Sequence, residues 1–245
     1  MAYPSVIRRR RATKRCDAFQ PSPEGGGATR FARGSGGGSK MGARPSRPRL
    51  AILCSGAGTN LQAILTAIRR GRLRAQVVLV AGDRADAPAL RRARRAGVPT
   101  TVVASAAYPS RAAYDAALTR LLRRHRVEWV ILAGFMRILT PGFVRRFAGR
   151  ILNVHPALLP AFRGAHAVRD ALAYGVTVTG VTIHLVDAQV DHGPIVAQQA
   201  VPVRPGDTEA ALLARVHRVE HQLYPQAIQW AVSGRLRVRG RRVIR

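Results

Sequence analysis

Lysine is almost missing from this sequence. Its two lysines both precede residue 49, whereas residues 49–245 contain 30 arginines, ten acidic residues and no lysine. A nucleic-acid-binding surface gains affinity from arginine and lysine alike, so complete exclusion of lysine indicates the coding bias of a GC-rich genome. The net charge of +29 still favours anionic ligands of either kind, metabolite or RNA.

Cysteines, aromatic residues and long apolar runs are also scarce. Cys16 lies in a polar tail and Cys54 in a predicted buried strand, so no disulfide is expected. No apolar run has the length of a membrane span, which predicts a soluble, cytoplasmic protein in a reducing compartment with no membrane partner. With 5% aromatic residues and no recognition motif, a specific nucleic-acid-binding module is disfavoured.

The first 48 residues differ in composition from the rest. They hold eleven Lys or Arg, two acids, many Gly, Ser and Pro, and almost no periodic apolar residues. Such a segment cannot offset the entropy of ordering, so we predict a disordered basic Gly/Arg-rich extension over 1–48 and a folded domain over 49–245. Its composition loosely resembles an organellar transit peptide, while a start of translation at Met41 would make residues 1–40 dispensable.

From residue 49 onward, apolar runs alternate with amphipathic segments. Strands are predicted over 50–54, 77–81, 101–103, 129–133, 151–155, 178–186 and 195–203. Helices are predicted over 61–68, 88–96, 110–125, 140–147, 166–174 and 208–231. This alternation predicts an α/β fold with a mostly parallel, doubly wound sheet, helices on both faces and a Rossmann-like N-terminal half.

The predicted strand at 151–155 carries the most informative polar pair. Asn153 and His155 are two residues apart, so their side chains project from one face, and Pro156 ends the strand at once. A strand end is where an α/β sheet usually opens its ligand crevice. Because the chain has only two asparagines, Asn60 and Asn153, a functional role is attractive, although the pair alone is more typical of a structural hydrogen bond.

The glycine-rich turn after the first predicted strand is a candidate phosphate site. Gly58, Thr59 and Asn60 gather backbone N–H groups and polar side chains where the first helix begins. A dinucleotide fingerprint would require glycine at Leu61, and a P-loop would require lysine, so the turn predicts a site for a single phosphate. A tight turn without a ligand is the alternative.

A polar loop over residues 187–194 separates two apolar strands. Gly193 and Pro194 favour a sharp turn into the following strand, which would hold Asp191 in place. Whether Asp191 has a functional role depends on whether it faces His155. A zinc site is conceivable from His155, His166, His184, His192 and Asp191. These residues lack the short spacing that is typical of metal ligands, so no metal is expected.

Taken together, five segments of the chain match a known family in order and spacing. They are Ser55-Gly-x-Gly-Thr-Asn60, Ala133-Gly-Phe-Met-Arg-Ile-Leu139, Leu152-Asn-Val-His-Pro-Ala-Leu-Leu-Pro160, Asp191-x-Gly-Pro194 and Glu220-His221-x-x-Tyr224-Pro225. Over about residues 49–240 the chain resembles the phosphoribosylglycinamide formyltransferases of de novo purine synthesis, within the wider folate-dependent formyltransferase superfamily. The resemblance implies the formyltransferase fold, with residues 49–245 as the catalytic domain.

The activity that this resemblance implies is formyl transfer from 10-formyltetrahydrofolate, as co-substrate, to the amine of glycinamide ribonucleotide. It implies small-molecule partners, no specific nucleic acid, no metal, and a monomer or homodimer. The implied catalytic residues are Asn153, His155 and Asp191. The implied ribonucleotide-binding residues are Gly58, Thr59, Asn60, His217 and Glu220, and the implied folate-binding residues are Arg111, Met136, Arg137, Ile138 and Leu139. Phe162-Arg163 departs from the common pattern of the family.

The residue types suit this chemistry. An amine attacking a formyl carbon creates an oxyanion, which Asn153 and a protonated His155 would stabilise, and Asp191 would favour the protonated form of His155 and carry the amine's proton away. Two related activities are expected to fit less well. Methionyl-tRNA formyltransferase has a further C-terminal RNA-binding domain, and formyltetrahydrofolate hydrolase has a folded N-terminal regulatory domain.

Overall fold

The computed structural model describes residues 47–245. The expectation of a disordered extension therefore lies outside the described residues, except for Arg47 and Pro48. The strands are β1 (Arg49–Cys54), β2 (Gln76–Gly82), β3 (Thr100–Val102), β4 (Trp129–Leu132), β5 (Ile151–His155), β6 (Val178–Leu185), β7 (Ile195–Pro202), β8 (Arg237–Arg239) and β9 (Arg242–Ile244). The α-helices are α1 (Thr59–Arg69), α2 (Pro88–Arg95), α3 (Arg111–Arg124), α4 (Pro141–Arg146), α5 (Ala167–Tyr174) and α6 (Glu209–Val232), with a short 3₁₀ turn over Ser105–Ala107.

The nine strands described for residues 47–245 form one sheet in the order β3-β2-β1-β4-β5-β6-β7-β9-β8. Pairing is parallel from β3 to β5, as in a doubly wound fold, which confirms the predicted mostly parallel sheet. The pairing then becomes antiparallel between β5 and β6 and between β6 and β7. The fold thus joins a parallel N-terminal half to a mostly antiparallel C-terminal half at β5, in which only the short contact between β7 and β9 is parallel among the strands described for residues 47–245.

Helices cover both faces of the sheet, as the alternation in the sequence predicts. Along β1, Leu50, Ile52 and Cys54 point into the core beneath α1, α2, α5 and α6, whereas Ala51 and Leu53 point into the core beneath α3 and α4. This two-sided burial explains why the strands read as continuous apolar runs rather than alternating ones. Burial raises the pKa of the Cys54 thiol to about 12, so this cysteine packs as a small apolar residue.

The carboxyl ends of β1, β4 and β5 meet at one edge of the sheet because these strands are parallel. Ser55 ties two of the loops at this edge together: its amide donates to the carbonyl of Gly134 at 3.0 Å, and its Oγ accepts from the amide of Met136 at 3.0 Å. Helix α6 is fixed below the same edge by Tyr224, whose buried hydroxyl lies 2.8 Å from the carbonyl oxygen of Leu132 and 2.9 Å from that of Leu152.

The β8–β9 hairpin is absent from the sequence-based prediction. Each strand is three residues long and begins with arginine, and Val238 and Val243 form an apolar cross-strand pair. The alternation that identifies a strand is therefore too short to recognise. The turn between them contains Gly240 at φ 58°. No helix within residues 47–245 is long and apolar enough to cross a membrane.

Candidate active site

The polar pair of β5 lies at the junction between the parallel and antiparallel halves of the sheet. Antiparallel pairing places Asn153 opposite His184 of β6 and His155 opposite Thr182. Directly paired residues share a face of the sheet, so Asn153 and His184 meet, with Asn153 Nδ2 at 3.1 Å from His184 Nε2. His184 is thus a site residue that the sequence analysis considered only as a conceivable zinc ligand.

Asp191 reaches this pair from the loop between β6 and β7. Its Oδ1 accepts from Asn153 Nδ2 at 3.3 Å and lies 3.5 Å from His184 Nε2, while its Oδ2 lies 3.3 Å from His155 Nδ1. The amide of Gly164 also donates to Oδ2, at 2.9 Å. The structure therefore brings Asn153, His155 and Asp191 together, and Asp191 does face His155.

Asp191 is held as an anion by this surrounding. Burial would raise the pKa of its carboxyl, but the amide of Gly164 and the neighbouring rings of His184 and His155 together hold that pKa below its usual value. The backbone of Asp191 has φ 46°, a left-handed conformation that is uncommon for a residue other than glycine.

His155 lies between the Asp191 carboxylate and a backbone carbonyl. Its side chain is 4% exposed, and burial lowers its pKa despite the opposing effects of the Asp191 charge and of the hydrogen bond to the Phe162 carbonyl. Asp191 thus favours the protonated imidazole, and burial opposes it. The Phe162 carbonyl, 2.8 Å from Nε2, and the Asp191 carboxylate, 3.3 Å from Nδ1, both only accept, so Nε2 carries a proton and a second proton on Nδ1 would satisfy the contact with Asp191.

The same reasoning assigns the proton of His184. Its Nδ1 lies 2.9 Å from the carbonyl oxygen of Leu185, so the neutral ring carries its proton on Nδ1 and accepts from Asn153 at Nε2. The two amide protons of Asn153 then point to His184 and to Asp191. The bond to Asp191 is the longer of the two, so it is the one more readily exchanged for a ligand oxygen.

The glycine-rich turn follows β1, which β4 separates from β5 in the sheet. Gly58 caps α1 with φ 74°, a left-handed conformation that favours glycine, and no side chain in the described structure caps the first turn of this helix. A Cβ at Gly58 would come within 2.7 Å of both Cα and Cβ of Ala89 in α2. The turn thus requires glycine and offers uncapped backbone N–H groups to an anion.

Asn60 and Glu220 form a buried pair beside this turn. Asn60 Nδ2 donates to Glu220 Oε2 at 2.7 Å, and the Oδ1 atom of Asn60 is buried with no hydrogen-bond partner in the described structure. Burial raises the pKa of the Glu220 carboxyl, although Asn60 and His217 act in the opposite direction. The side chain of Asn60 therefore faces α6, and this contact joins two of the residues expected at the ribonucleotide site.

Arg92 is a residue at this turn that the sequence analysis missed. Its Nε donates to the carbonyl of Ala57 at 2.9 Å, and its side chain lines, with Thr59 and His221, a groove of about 770 Å³ between α1 and α6. Nothing in the sequence distinguishes Arg92 from the other arginines of α2. Only the packing of α2 against the turn identifies it.

The loop between β4 and α4 presents the predicted folate-binding residues. Met136 is 69% exposed and Ile138 59% exposed, whereas Leu139 is buried. The guanidinium of Arg137 lies 5.4 Å from the centre of the Tyr114 ring in α3. Exposed apolar side chains next to a polar cluster are typical of a surface that a ligand covers.

Helix α3 supports the base of this loop. The buried carboxyl of Asp115 accepts from the amide of Thr140 at 2.6 Å, immediately after Leu139. Arg111, the remaining predicted folate-binding residue, begins the same helix next to its N-cap Ser110 and is exposed. Among the described residues, no three His, Cys, Asp or Glu side chains are arranged to hold a metal ion.

Comparisons with known proteins show the family of this chain. A model of the formyl transferase family matches residues 48–228. The chain is 49% identical over 206 residues to phosphoribosylglycinamide formyltransferase of Mycobacterium tuberculosis. The matched region covers 81% of this chain and 95% of that protein. It is 43% identical over 189 residues to the Escherichia coli protein of that name, covering 77% of this chain and 89% of the relative.

Solved structures show the same architecture. Glycinamide ribonucleotide transformylase 1 of Symbiobacterium toebii superposes with a TM-score of 0.81 at 49% identity, over 85% of this chain and 99% of that one. Other relatives are much longer: the chain spans 14% of the trifunctional purine biosynthetic protein adenosine-3 of Drosophila pseudoobscura pseudoobscura, at 48% identity over 193 residues.

Proposed function

The chain belongs to the formyl transferase family, and we propose that it transfers the formyl group of 10-formyltetrahydrofolate to the amine of glycinamide ribonucleotide, a step of de novo purine biosynthesis. The relatives that bear the name phosphoribosylglycinamide formyltransferase and match nearly full length support this assignment. The observation that carries it is the position of Asp191, whose two oxygens lie 3.3 Å from Asn153 Nδ2 and 3.3 Å from His155 Nδ1.

The proposed chemistry is direct attack of the amine on the formyl carbon. As the new C–N bond forms, negative charge develops on the formyl oxygen, and the amide of Asn153 exchanges its bond to Asp191 for one to this oxygen. Asp191 accepts the proton that the amine loses. It can do so because its lowered pKa keeps the carboxyl ionised in the resting protein.

His155 completes the proton balance in this proposal. Its Nδ1 faces Asp191, so the amine's proton can be shared between the Asp191 carboxylate and this nitrogen, and the imidazolium form places positive charge beside the developing oxyanion. When the bond between the formyl carbon and N10 of the folate breaks, the leaving nitrogen needs one proton. The pair of Asp191 and His155 returns that proton, so both residues end the cycle in the protonation state in which they began.

Two flanking surfaces would hold the substrates. The uncapped amides at Gly58 and Thr59 suit a phosphate, and the pair of Asn60 and Glu220, with His217 nearby, suits a polyhydroxylated sugar next to it. The exposed Met136 and Ile138 suit the aromatic part of a folate. Arg111, Arg137 and Leu139 are further folate contacts in this proposal.

The experiment is a formyl-transfer assay with purified protein and 10-formyltetrahydrofolate, which follows both the folate product and formylated ribonucleotide. Three reactions are compared: with glycinamide ribonucleotide, with methionyl-tRNA, and without an acceptor. We expect product only with the ribonucleotide. Equal release of formate without an acceptor would identify a hydrolase, and formylation of the tRNA alone would overturn the proposed acceptor.

A further inference from the structure

The β8–β9 hairpin contacts the loop that carries Asp191. This hairpin lies beyond residues 48–228, the range that the family model matches. From its turn, Arg241 reaches back to the loop: Nη2 donates to the carbonyl oxygen of His192 at 2.6 Å, and Nη1 lies 3.0 Å from His192 Nε2. A single arginine thus contacts both the main chain and the side chain of the residue next to Asp191.

His192 continues this connection to the beginning of the loop. Its Nδ1 lies 2.7 Å from Asp187 Oδ2. Arginine only donates and a carboxylate only accepts, so one neutral tautomer, with its proton on Nδ1, satisfies both contacts of the ring. Asp187 Oδ1 in turn accepts from the amide of Gln189 at 2.9 Å. The hydrogen bonds run in one direction, from Arg241 through His192 to Asp187.

The backbone on either side of His192 is constrained by its surroundings. Asp191 has φ 46°, and such a left-handed residue persists only where its surroundings hold it. On the other side of His192, a Cβ added to Gly193 would come within 1.8 Å of the carbonyl oxygen of Leu185, so this part of the loop is closely packed. The contacts of Arg241 and His192 lie between these two features.

We propose that Arg241 and His192 form a clamp that positions the Asp191 carboxylate between Asn153 and His155. The kinetic consequence of the clamp rests on the proposed function, whereas its effect on the position of the Asp191 carboxylate does not. Arg241 and His192 act through Asp191 and are positioning residues. Loss of the clamp should let the carboxylate move relative to its partners, and a displacement of this kind lowers turnover more than ground-state binding.

The kinetic test uses Arg241→Ala, with Arg239→Ala as the matched control. Both arginines belong to the same exposed hairpin, but no contact from Arg239 to the loop is present in the described structure. We expect Arg241→Ala to lower kcat roughly tenfold with little change in the KM for glycinamide ribonucleotide, and Arg239→Ala to leave both constants unchanged. Melting temperatures check that both variants fold.

Combining Arg241→Ala with Asp191→Asn tests whether the effect acts through Asp191. Residues that act through one group are not additive, so in the Asp191→Asn protein the loss of Arg241 should lower kcat by less than about twofold. An unchanged kcat in the single variant overturns the clamp. So does a full tenfold loss in the Asp191→Asn background.

Amide hydrogen exchange provides a readout that does not depend on activity. The Gly164 amide donates to Asp191 Oδ2, so its exchange reports whether this carboxylate stays in place. We expect several-fold faster exchange of Gly164 in Arg241→Ala and wild-type exchange in Arg239→Ala. Wild-type exchange in both variants contradicts the clamp even if the protein transfers no formyl group, whereas absence of formyl transfer in the wild type contradicts only the proposed function.

Discussion

The glycine-rich turn and the cluster around Asp191 lie at strand ends of one sheet, yet they are built in opposite ways. The turn offers backbone N–H groups that no side chain caps, at a residue that requires a left-handed conformation. In the cluster, the side chains are bonded to one another, and the rings of His155 and His184 are buried.

This difference separates binding from chemistry. Backbone N–H groups that have no partner within the protein can bind the substrate and the transition state equally well. Their loss therefore changes KM. Groups that already satisfy each other must exchange a bond during the reaction, so their contribution is made in the transition state and affects kcat. The comparison predicts that substitutions in the two regions change different kinetic constants.

The largest effect is expected from loss of the oxyanion donors. Asn153→Ala or His155→Ala should lower kcat by roughly two to three orders of magnitude, the scale of losing one such donor, with a much smaller change in KM. Steady-state kinetics of folded variants measure this. The control is His125→Ala, because His125 ends α3 at the opposite edge of the sheet. Near-normal turnover of a folded Asn153→Ala protein would remove this residue from the mechanism.

Asp191→Asn should lower kcat by about a hundredfold, since it keeps the shape of the side chain but cannot accept the amine's proton. The Asp191 charge raises the pKa of His155, against the larger lowering effect of burial, so its removal should lower that pKa further. NMR titration of the imidazole measures the shift. The coupling between the two residues is wrong if the His155 titration is the same in both proteins.

The same pKa directions predict the response of stability to acid. A His155 whose folded-state pKa lies below its unfolded value binds fewer protons than the unfolded chain, so stability is lost as pH falls below about 6.5. The lowered pKa of Asp191 acts in the same direction at lower pH, because its stabilisation is present above about 4 and is lost as the pH falls toward the folded-state pKa. Melting temperatures from pH 7 to pH 5 should therefore fall less steeply for His155→Gln than for the wild type.

In the turn, Gly58→Ala should raise the KM for glycinamide ribonucleotide about tenfold with a small change in kcat. The new Cβ meets Ala89, so the turn shifts away from α2 and its amides lose their alignment. Gly56→Ala is the control, because a Cβ at Gly56 meets no atom within 4 Å and its backbone is not left-handed. Equal effects of the two substitutions would contradict a dedicated phosphate site.

The smallest effect concerns the exposed loop after β4. Arg137→Ala should raise the KM for the folate a few-fold and leave that for the ribonucleotide unchanged, since the one contact seen for its guanidinium within residues 47–245 is with the Tyr114 ring. Arg145→Ala, which removes an exposed arginine from the following helix, should change neither constant. Isothermal titration with each ligand separates the outcomes, and a weaker ribonucleotide affinity in Arg137→Ala would contradict the assignment.

Most of the parallel half of the sheet could be predicted from the sequence, because its strands are buried runs separated by amphipathic helices. The antiparallel half could not be predicted in the same detail. The direction of β6 relative to β5 depends on tertiary packing, and it is this register that places His184 opposite Asn153. The β8–β9 hairpin could not be predicted because each strand has only three residues, too few to show the alternation of apolar and polar residues.

The site was predictable where a residue type is rare or a turn is unusual, as with Asn153 and Gly58. Arg92 and Arg241 were not predictable, because each is one arginine among many and only its position in the fold distinguishes it. The lowered pKa of His155 could not be predicted from the sequence either, because it depends on how completely the ring is buried.

The most direct test of this account is the single-turnover rate of formyl transfer at saturating concentrations of both substrates, measured for Asn153→Ala and Gly58→Ala side by side. The account predicts that Asn153→Ala stays slower than the wild type by roughly two to three orders of magnitude, whereas Gly58→Ala approaches the wild-type rate once the ribonucleotide is saturating. Recovery of Asn153→Ala at saturation, or a persistent large defect in folded Gly58→Ala, would contradict the separation of chemistry and binding between the two regions.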